Sequence, residues 1–259
     1  MSETTQLPNV KRVHFSAPFA WLAMGWNDFK TAPFVFGLFG AGLALISIAI
    51  AGTLYATGRF SWFLVLAGGF MIIAPIIATG LYRGAQMIEQ DKSPAVIDLI
   101  RPLMRGRPDQ LMLGVALVFL FGLWAEVAYL IYGLSTSAVH RTMLDFFGFM
   151  FTPAGLQMAL IGTLIGGAIA FLAYAIVVVT APMLLQEDMD FFIALITSVR
   201  SVLANVPAML LWAVMIVLLT ILGIATAFVG LVIIFPWIGL SSWHAYRSLV
   251  EPIIIVSTD

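Results

Sequence analysis

The chain has 259 residues, of which 62% are hydrophobic and only 10% charged, and its net charge is −1. So few polar groups cannot coat a soluble globule, and a near-neutral balance offers no basic face for nucleic acid. The absence of cysteine removes disulfides, thiolate catalysis and Cys-ligated clusters. What remains is an all-α, polytopic helical membrane protein. Its apolar runs reach the roughly 20 residues a helix needs to cross hydrocarbon, and none alternates at the period of two that a barrel strand requires.

In chain order, the first segment (1–32) has no short apolar run followed by a small-residue cleavage site, so no cleavable signal is expected. After Ser16, residues Phe19, Leu22, Trp26 and Phe29 recur at helical spacing with Asn27, Asp28 and Lys30 on other faces. This predicts an amphipathic helix at the membrane surface, with Trp21 and Trp26 as interfacial anchors. The first hairpin (33–82) contains spans over 34–56 and 60–82, joined by Thr57-Gly58-Arg59. Segment 83–108 is a cytoplasmic amphipathic loop, in which Ser93-Pro94 opens a short helix that Pro102 kinks or ends.

The second hairpin (109–183) holds spans over 111–133 and 156–183. Its outer loop carries Phe146, Phe147, Phe149 and Phe151, read as a segment on the outer leaflet or as a partner-binding patch. Segment 184–206 is amphipathic again through Phe192, Leu195, Ile196, Val199 and Leu203. The triplet Glu187, Asp188 and Asp190 before it reads as a helix cap or as divalent-ion ligands. The final segment (207–259) holds the third hairpin and tail. Its apolar stretch, about 40 residues at 1.5 Å rise, is long enough for two spans, split near Thr226 to Phe228. The chain thus reads as a single integral-membrane domain over 1–259, six transmembrane helices in three hairpins with cytoplasmic interfacial amphipathic helices.

Charge supports this threading. With both termini cytoplasmic, ten of the twelve Lys and Arg residues fall inside, namely Lys11, Arg12, Lys30, Arg83, Lys92, Arg101, Arg105, Arg107, Arg200 and Arg247, and only Arg59 and Arg141 fall outside. Pro33, Pro108 and Pro207 each close an amphipathic segment and open a hairpin, which marks a threefold repeated unit. Pro75, Pro182 and Pro236 recur late in the returning spans and predict shared kinks.

Four short stretches, Trp21-Leu22-x-x-Gly25-x-x-Asp28, Gly80-Leu81-Tyr82, Pro236-Trp237-x-Gly239 and Trp243-His244-Ala245-Tyr246-Arg247, resemble the bacterial integral-membrane family called domain of unknown function 2189. The resemblance covers nearly the whole chain and implies a six-span protein of the bacterial inner (cytoplasmic) membrane, some relatives of which are labelled as cytochrome c oxidase subunits. The chain's three histidines, His14, His140 and His244, are too few to ligate the two haems and copper of an oxidase core. Leu240 also follows Gly239 where members of the family tend to carry a histidine, so a paired-histidine role is not expected here.

Glu126, between Trp124 and Tyr129, is the acidic residue well inside a span. An intramembrane carboxylate is costly enough to be a functional candidate. It either faces a hydrated path, relaying protons or binding a cation, or it holds helices together through Tyr174 or Tyr129. Tyr82, Arg83, Trp243, His244, Tyr246 and Arg247 form a candidate interfacial and lipid-binding group, by anchoring, by gripping a lipid phosphate, or by docking of the C-terminal cluster on the turn that holds Tyr82 and Arg83. Gly162-x-x-x-Gly166 with Gly167, and Gly37, Gly40 and Gly42, are expected to permit close helix approach.

No phosphate loop, His-Glu-x-x-His or nucleophile elbow occurs. No catalytic residue, metal or cofactor is therefore expected. The expected function is a non-catalytic accessory or scaffold in contact with the lipid bilayer and a membrane-complex partner, with a small transporter or channel using Glu126 as the alternative.

Overall fold

The computed structural model describes residues 7–104, 107–138, 140, 142–185 and 189–251. In chain order the helices are α1 (Ala17–Thr31), α2 (Pro33–Ala56), α3 (Phe63–Ile77), α4 (Thr79–Glu89), α5 (Val96–Met104) and α6 (Pro108–Ser135), then α7 (Met143–Met150), α8 (Pro153–Val177), α9 (Thr180–Met183), α10 (Phe191–Ala204), α11 (Val206–Ala225) and α12 (Leu231–Leu249). Among the described residues the β-pairing is one isolated bridge, between Val10 and Val250.

Pro33, Pro108, Pro153 and Pro207 each occupy the first or second position of a long helix. Proline suits that place because its fixed φ is already helical and its missing N–H would have no partner there. Three of these helices, α2, α6 and α11, are each preceded by a short one, α1, α5 and α10. Gly25, eight residues before Pro33, Leu99, nine before Pro108, and Ser198, nine before Pro207, hold matching places in the three short helices. At each place the short helix meets a returning helix closely. A Cβ on Gly25 would lie 2.1 Å from Ser241 Oγ, and a Cβ on Gly80 would lie 2.1 Å from the Leu99 carbonyl oxygen. The Ser198 hydroxyl donates to the Ala175 carbonyl at 2.8 Å and accepts from the Val179 N–H at 3.1 Å. Thus α5 packs on α4, α10 on α8 and α9, and α1 closes the ring on α12.

The three late prolines act differently from one another. The path breaks at Ala78 after Pro75, and at 178–179 before Pro182. Buried threonines bridge both breaks, Thr79 donating to the Ile76 carbonyl and Thr180 to the Ile176 carbonyl. Pro236 instead stays inside a continuous α12, held between α1, α2 and α4, with the Ser241 and Ser242 hydroxyls donating to the Trp237 and Ile238 carbonyls at 2.7 and 2.8 Å.

Five helical stretches are long and apolar enough to cross a membrane: Pro33–Ala56, Phe60–Glu89, Pro108–Ser135, Pro153–Met183 and Val206–Ala225. Their outer walls expose large apolar side chains such as Leu45, Phe119 and Leu164, which suits contact with lipid. The second of them continues past Tyr82 to Glu89, so the start of the expected 83–108 loop is helical. The sixth expected span, α12, has 19 residues and carries Ser241, Ser242, His244 and Arg247 in its second half, which makes it more polar than the other five.

Both described chain ends meet at one end of the bundle. The Lys11 N–H donates to the Leu249 carbonyl at 2.8 Å, and the Glu251 N–H to the Asn9 carbonyl at 3.1 Å. Helix α12 thus brings the chain back to the end where α1 lies. The split between the last two passes falls where the sequence places it. Residues 226–230 form a turn in which Ala227 and Phe228 are left-handed (φ 52° and 68°), fastened by Thr226, whose hydroxyl donates to the Gly223 carbonyl and accepts from the Gly230 N–H, both at 2.8 Å.

At the opposite end, Phe60 contacts Phe63, Phe146 and Phe147, and Phe63 contacts Phe228. The aromatic outer segment forms α7, capped by Thr142, which accepts from the Asp145 N–H at 3.1 Å. Phe146 is buried in this cluster while Phe147 and Phe151 are exposed. Between the ends, α2 and α11 pack on α12, whereas α3, α6 and α8 pack on one another. The two groups touch midway through Phe70 and Phe235, whose rings lie 6.0 Å apart, and cavities remain between them.

Candidate functional site

The motif residues from the two chain ends and from α4 converge at the end that holds the termini. Arg247 donates from Nε to Glu89 Oε1 at 2.9 Å and also approaches that oxygen through Nη2 at 2.8 Å. The Trp243 indole N–H donates to Glu89 Oε2 at 3.1 Å, so both carboxylate oxygens are engaged. His244 Nε2 lies 2.7 Å from Asp28 Oδ2, and the Trp237 indole N–H donates to the Leu22 carbonyl at 2.8 Å. Arg83 turns to Gln86 Oε1 at 2.6 Å. Backbones are close here as well: a Cβ on Gly239 would lie 2.5 Å from Leu81 Cδ1.

This junction differs from the expected headgroup anchor. Tyr82, Trp243 and Tyr246 are 4%, 2% and 3% exposed, because α1 and α4 cover the end of α12. Arg83, His244 and Arg247 are half-buried. The sequence reading missed Glu89 and Asp28 as their partners. Asp28 lies on the polar face of an amphipathic helix and gave no sign of its target, whereas Glu89, two turns beyond Tyr82 on the same helix, could have been found by carrying that span further. Chemically the junction is a set of satisfied hydrogen bonds and ion pairs joining α1, α4 and α12. Nearby, the indole N–H of the buried Trp212 has no hydrogen-bond partner among the described residues, and its ring meets Trp21 edge to face at 5.8 Å.

Glu126 stands elsewhere. The inner face of α6 is Leu113, Leu117 and Leu120, with the Trp124 indole donating to the Val65 carbonyl at 2.8 Å. Glu126 lies on the opposite, exposed face, and no described residue bonds to it. Tyr174, one expected partner, donates instead to the Met209 carbonyl at 3.0 Å. The other, Tyr129, is itself 61% exposed. Met112, Val115, Phe119, Gly122, Glu126, Tyr129 and Gly133 are all exposed and follow one another at alternating steps of three and four. That spacing is the seam along which two helices pack.

Two adjoining cavities lie between the helix groups. One of about 510 Å³ includes Ser61, Gly68, Trp124 and Gly162 in its wall, and one of about 350 Å³ includes Pro75, Tyr82, Tyr174 and Ser242. The glycines expected to let helices approach divide accordingly. Gly40 backs onto the Val232 carbonyl and Gly166 onto the Trp124 ring, whereas a Cβ on Gly37, Gly42, Gly162 or Gly167 would meet nothing within 4 Å. Of the acidic triplet, Asp190 caps α10 by accepting from the Ile193 N–H at 3.0 Å, while Glu187 and Asp188, like Arg105 and Arg141, lie outside the described residues. Among the described residues no group of three His, Cys, Asp or Glu could hold a metal ion.

Apolar helices of spanning length, a chain returned to its starting end and a polar junction confined to that end define a multi-pass helical integral membrane protein. Residues 63–186 match the family described as "Predicted integral membrane protein (DUF2189)". The matched stretch runs from the start of α3 past α9 and contains Gly80-Leu81-Tyr82, while the other three quoted motifs lie outside it and meet it in space. No curated protein and no solved structure matches the chain.

Proposed function

We propose that the protein is a non-catalytic accessory or scaffold subunit of the bacterial inner membrane, crossing it six times with both termini in the cytoplasm and working through lateral helix contacts. The observation that carries this reading is the exposed seam on α6 that includes Glu126. The 28 residues of α6 extend about 42 Å, some 12 Å more than the hydrocarbon thickness. Glu126, nine residues from the helix end, then lies about 7 Å inside hydrocarbon when the helix is centred. A carboxylate at a helix centre costs about 2.5–3.5 kcal/mol in hydrocarbon. A donor on a neighbouring transmembrane helix would offset part of that cost, and Gly122 and Gly133 leave room for such a helix to approach. The transport alternative needs Glu126 to line an internal path, and its outward placement counts against it. Six crossings are favoured by the return of the chain to its starting end through α12, whose 19 residues extend about 28 Å.

A photo-cross-linking amino acid placed at Phe119 or Tyr129 in native membranes tests the reading, with Leu45 on the outer wall of α2 as the control. Discrete protein adducts at the α6 positions, lost with Glu126→Gln and absent at Leu45, are expected, and adduct mass separates a second copy from another protein. Lipid-only labelling at all three positions would overturn lateral contact. A cation or proton flux in proteoliposomes abolished by Glu126→Gln would put the transport reading in its place.

A further inference from the structure

The two cavities share Met71, Ile72, Gly167, Ala170 and Val217, so they adjoin along the same walls. One face of α3 and α4 lines them from Leu64 through Gly68, Met71 and Pro75 to Tyr82, at helical spacing. From Ser61 to Tyr82 the wall extends about 31 Å at helical rise, which is the thickness of the hydrocarbon core. The facing wall on α8 is built from Gly162, Thr163, Gly166, Gly167 and Ala170, residues with little or no side chain. This lack of side chains is what makes the space, since Gly162 and Gly167 have open room where a Cβ would stand. Thr163, Gly167 and Ala170 are exposed, so the space opens sideways toward the surrounding membrane.

The character of the walls selects the occupant. Water needs two to four polar partners to stay in such a space, and most of the lining is apolar, with three of its hydroxyls already committed. Tyr174 donates to Met209, Ser242 to Ile238, and Tyr132 is 2.8 Å from His140 Nδ1. The volumes of about 510 and 350 Å³ fall in the range of small-molecule pockets, and the medium at the lateral opening is hydrocarbon. We infer that this space binds a single hydrocarbon chain of a membrane lipid, lying along α3 and α8. The inference rests on membrane placement alone and is independent of the lateral-contact reading.

The test uses the full-length protein in phosphatidylcholine vesicles carrying a trace of phosphatidylcholine with a diazirine on one acyl chain, or, in a parallel arm, a diazirine-bearing polyprenol. After irradiation, adducts are mapped by mass spectrometry. Enrichment at cavity-facing positions around Met71 and Gly167, over the outward Leu160 and Leu164 of the same wall, is expected. Gly162→Leu and Gly167→Leu should each abolish that enrichment, while Gly42→Leu, an equal enlargement on an outer wall, should leave it intact. Enrichment with the phosphatidylcholine probe assigns the chain to a glycerophospholipid, and enrichment with the polyprenol alone assigns it to an isoprenoid; either supports the site. Labelling that follows exposure only, or cavity labelling unchanged by both enlargements, overturns it. The positional comparison in the unmodified protein needs no variant to fold.

Discussion

Glu89 receives Arg247 on one oxygen and the buried Trp243 indole on the other, so its two neighbours respond differently to its loss. Arg247 is partly exposed, and a screened surface pair of this kind contributes about 0.2–1 kcal/mol. Trp243 is 2% exposed, so its N–H loses its acceptor in a largely buried setting, and a buried donor left unsatisfied costs about 1–3 kcal/mol. Glu89→Ala is therefore expected to destabilise the protein more than Arg247→Ala does, read as the shift in unfolding midpoint in detergent; equal shifts would show that Trp243 gains nothing from Glu89. Asn205 is a second such residue. Buried itself, it accepts from the Val13 N–H and donates to the Lys11 and Ser201 carbonyls. Asn205→Ala should cost about 1–3 kcal/mol and release residues 9–13 to limited proteolysis. The role of Asn205 is not visible in the sequence, because a lone amide residue at a helix end reads as solvated until the segment that covers it is placed.

At the scale of the element, proline was the informative residue. Pro33, Pro108 and Pro207 mark the starts of α2, α6 and α11 because the chemistry that admits proline to a first helical turn is local. Glycine was ambiguous for the opposite reason. A helix that is apolar all round lacks the periodicity that separates inside from outside, so Gly40, Gly42 and Gly162 look alike in sequence and occupy a tight crossing, an outer wall and a cavity. Gly25→Ala would press a methyl group into the Ser241 backbone, 2.6 Å from its nitrogen, and should cost about 1–3 kcal/mol through overpacking. Gly42→Ala has open room and should stabilise by up to about 1 kcal/mol through helix propensity. Thermal unfolding of the two variants side by side checks the difference in sign. The same ambiguity hid the outward placement of Glu126, since its neighbours on every face of α6 are apolar.

For the whole molecule, the sequence makes the membrane class and the all-helical architecture legible, because hydrocarbon thickness sets span length. Contacts between distant segments had to be seen, among them the ring that α1 closes on α12. Glu126→Gln should leave the unfolding midpoint of the purified protein unchanged to within about 0.5 kcal/mol, as for surface substitutions generally, while removing the α6 cross-link in membranes; a large loss of stability in isolation would place its partner within the chain. The closing contact also has a meaning in time. Helix α1 is synthesised about 200 residues ahead of its main partner, α12. At about 5–20 residues per second, α1 waits roughly 10–40 s for the rest of the chain to emerge. During that interval its apolar side, with Trp21 and Phe29, has only the membrane surface or an insertion factor to cover it. A chain that stalls before α12 therefore leaves α1 without its main partner.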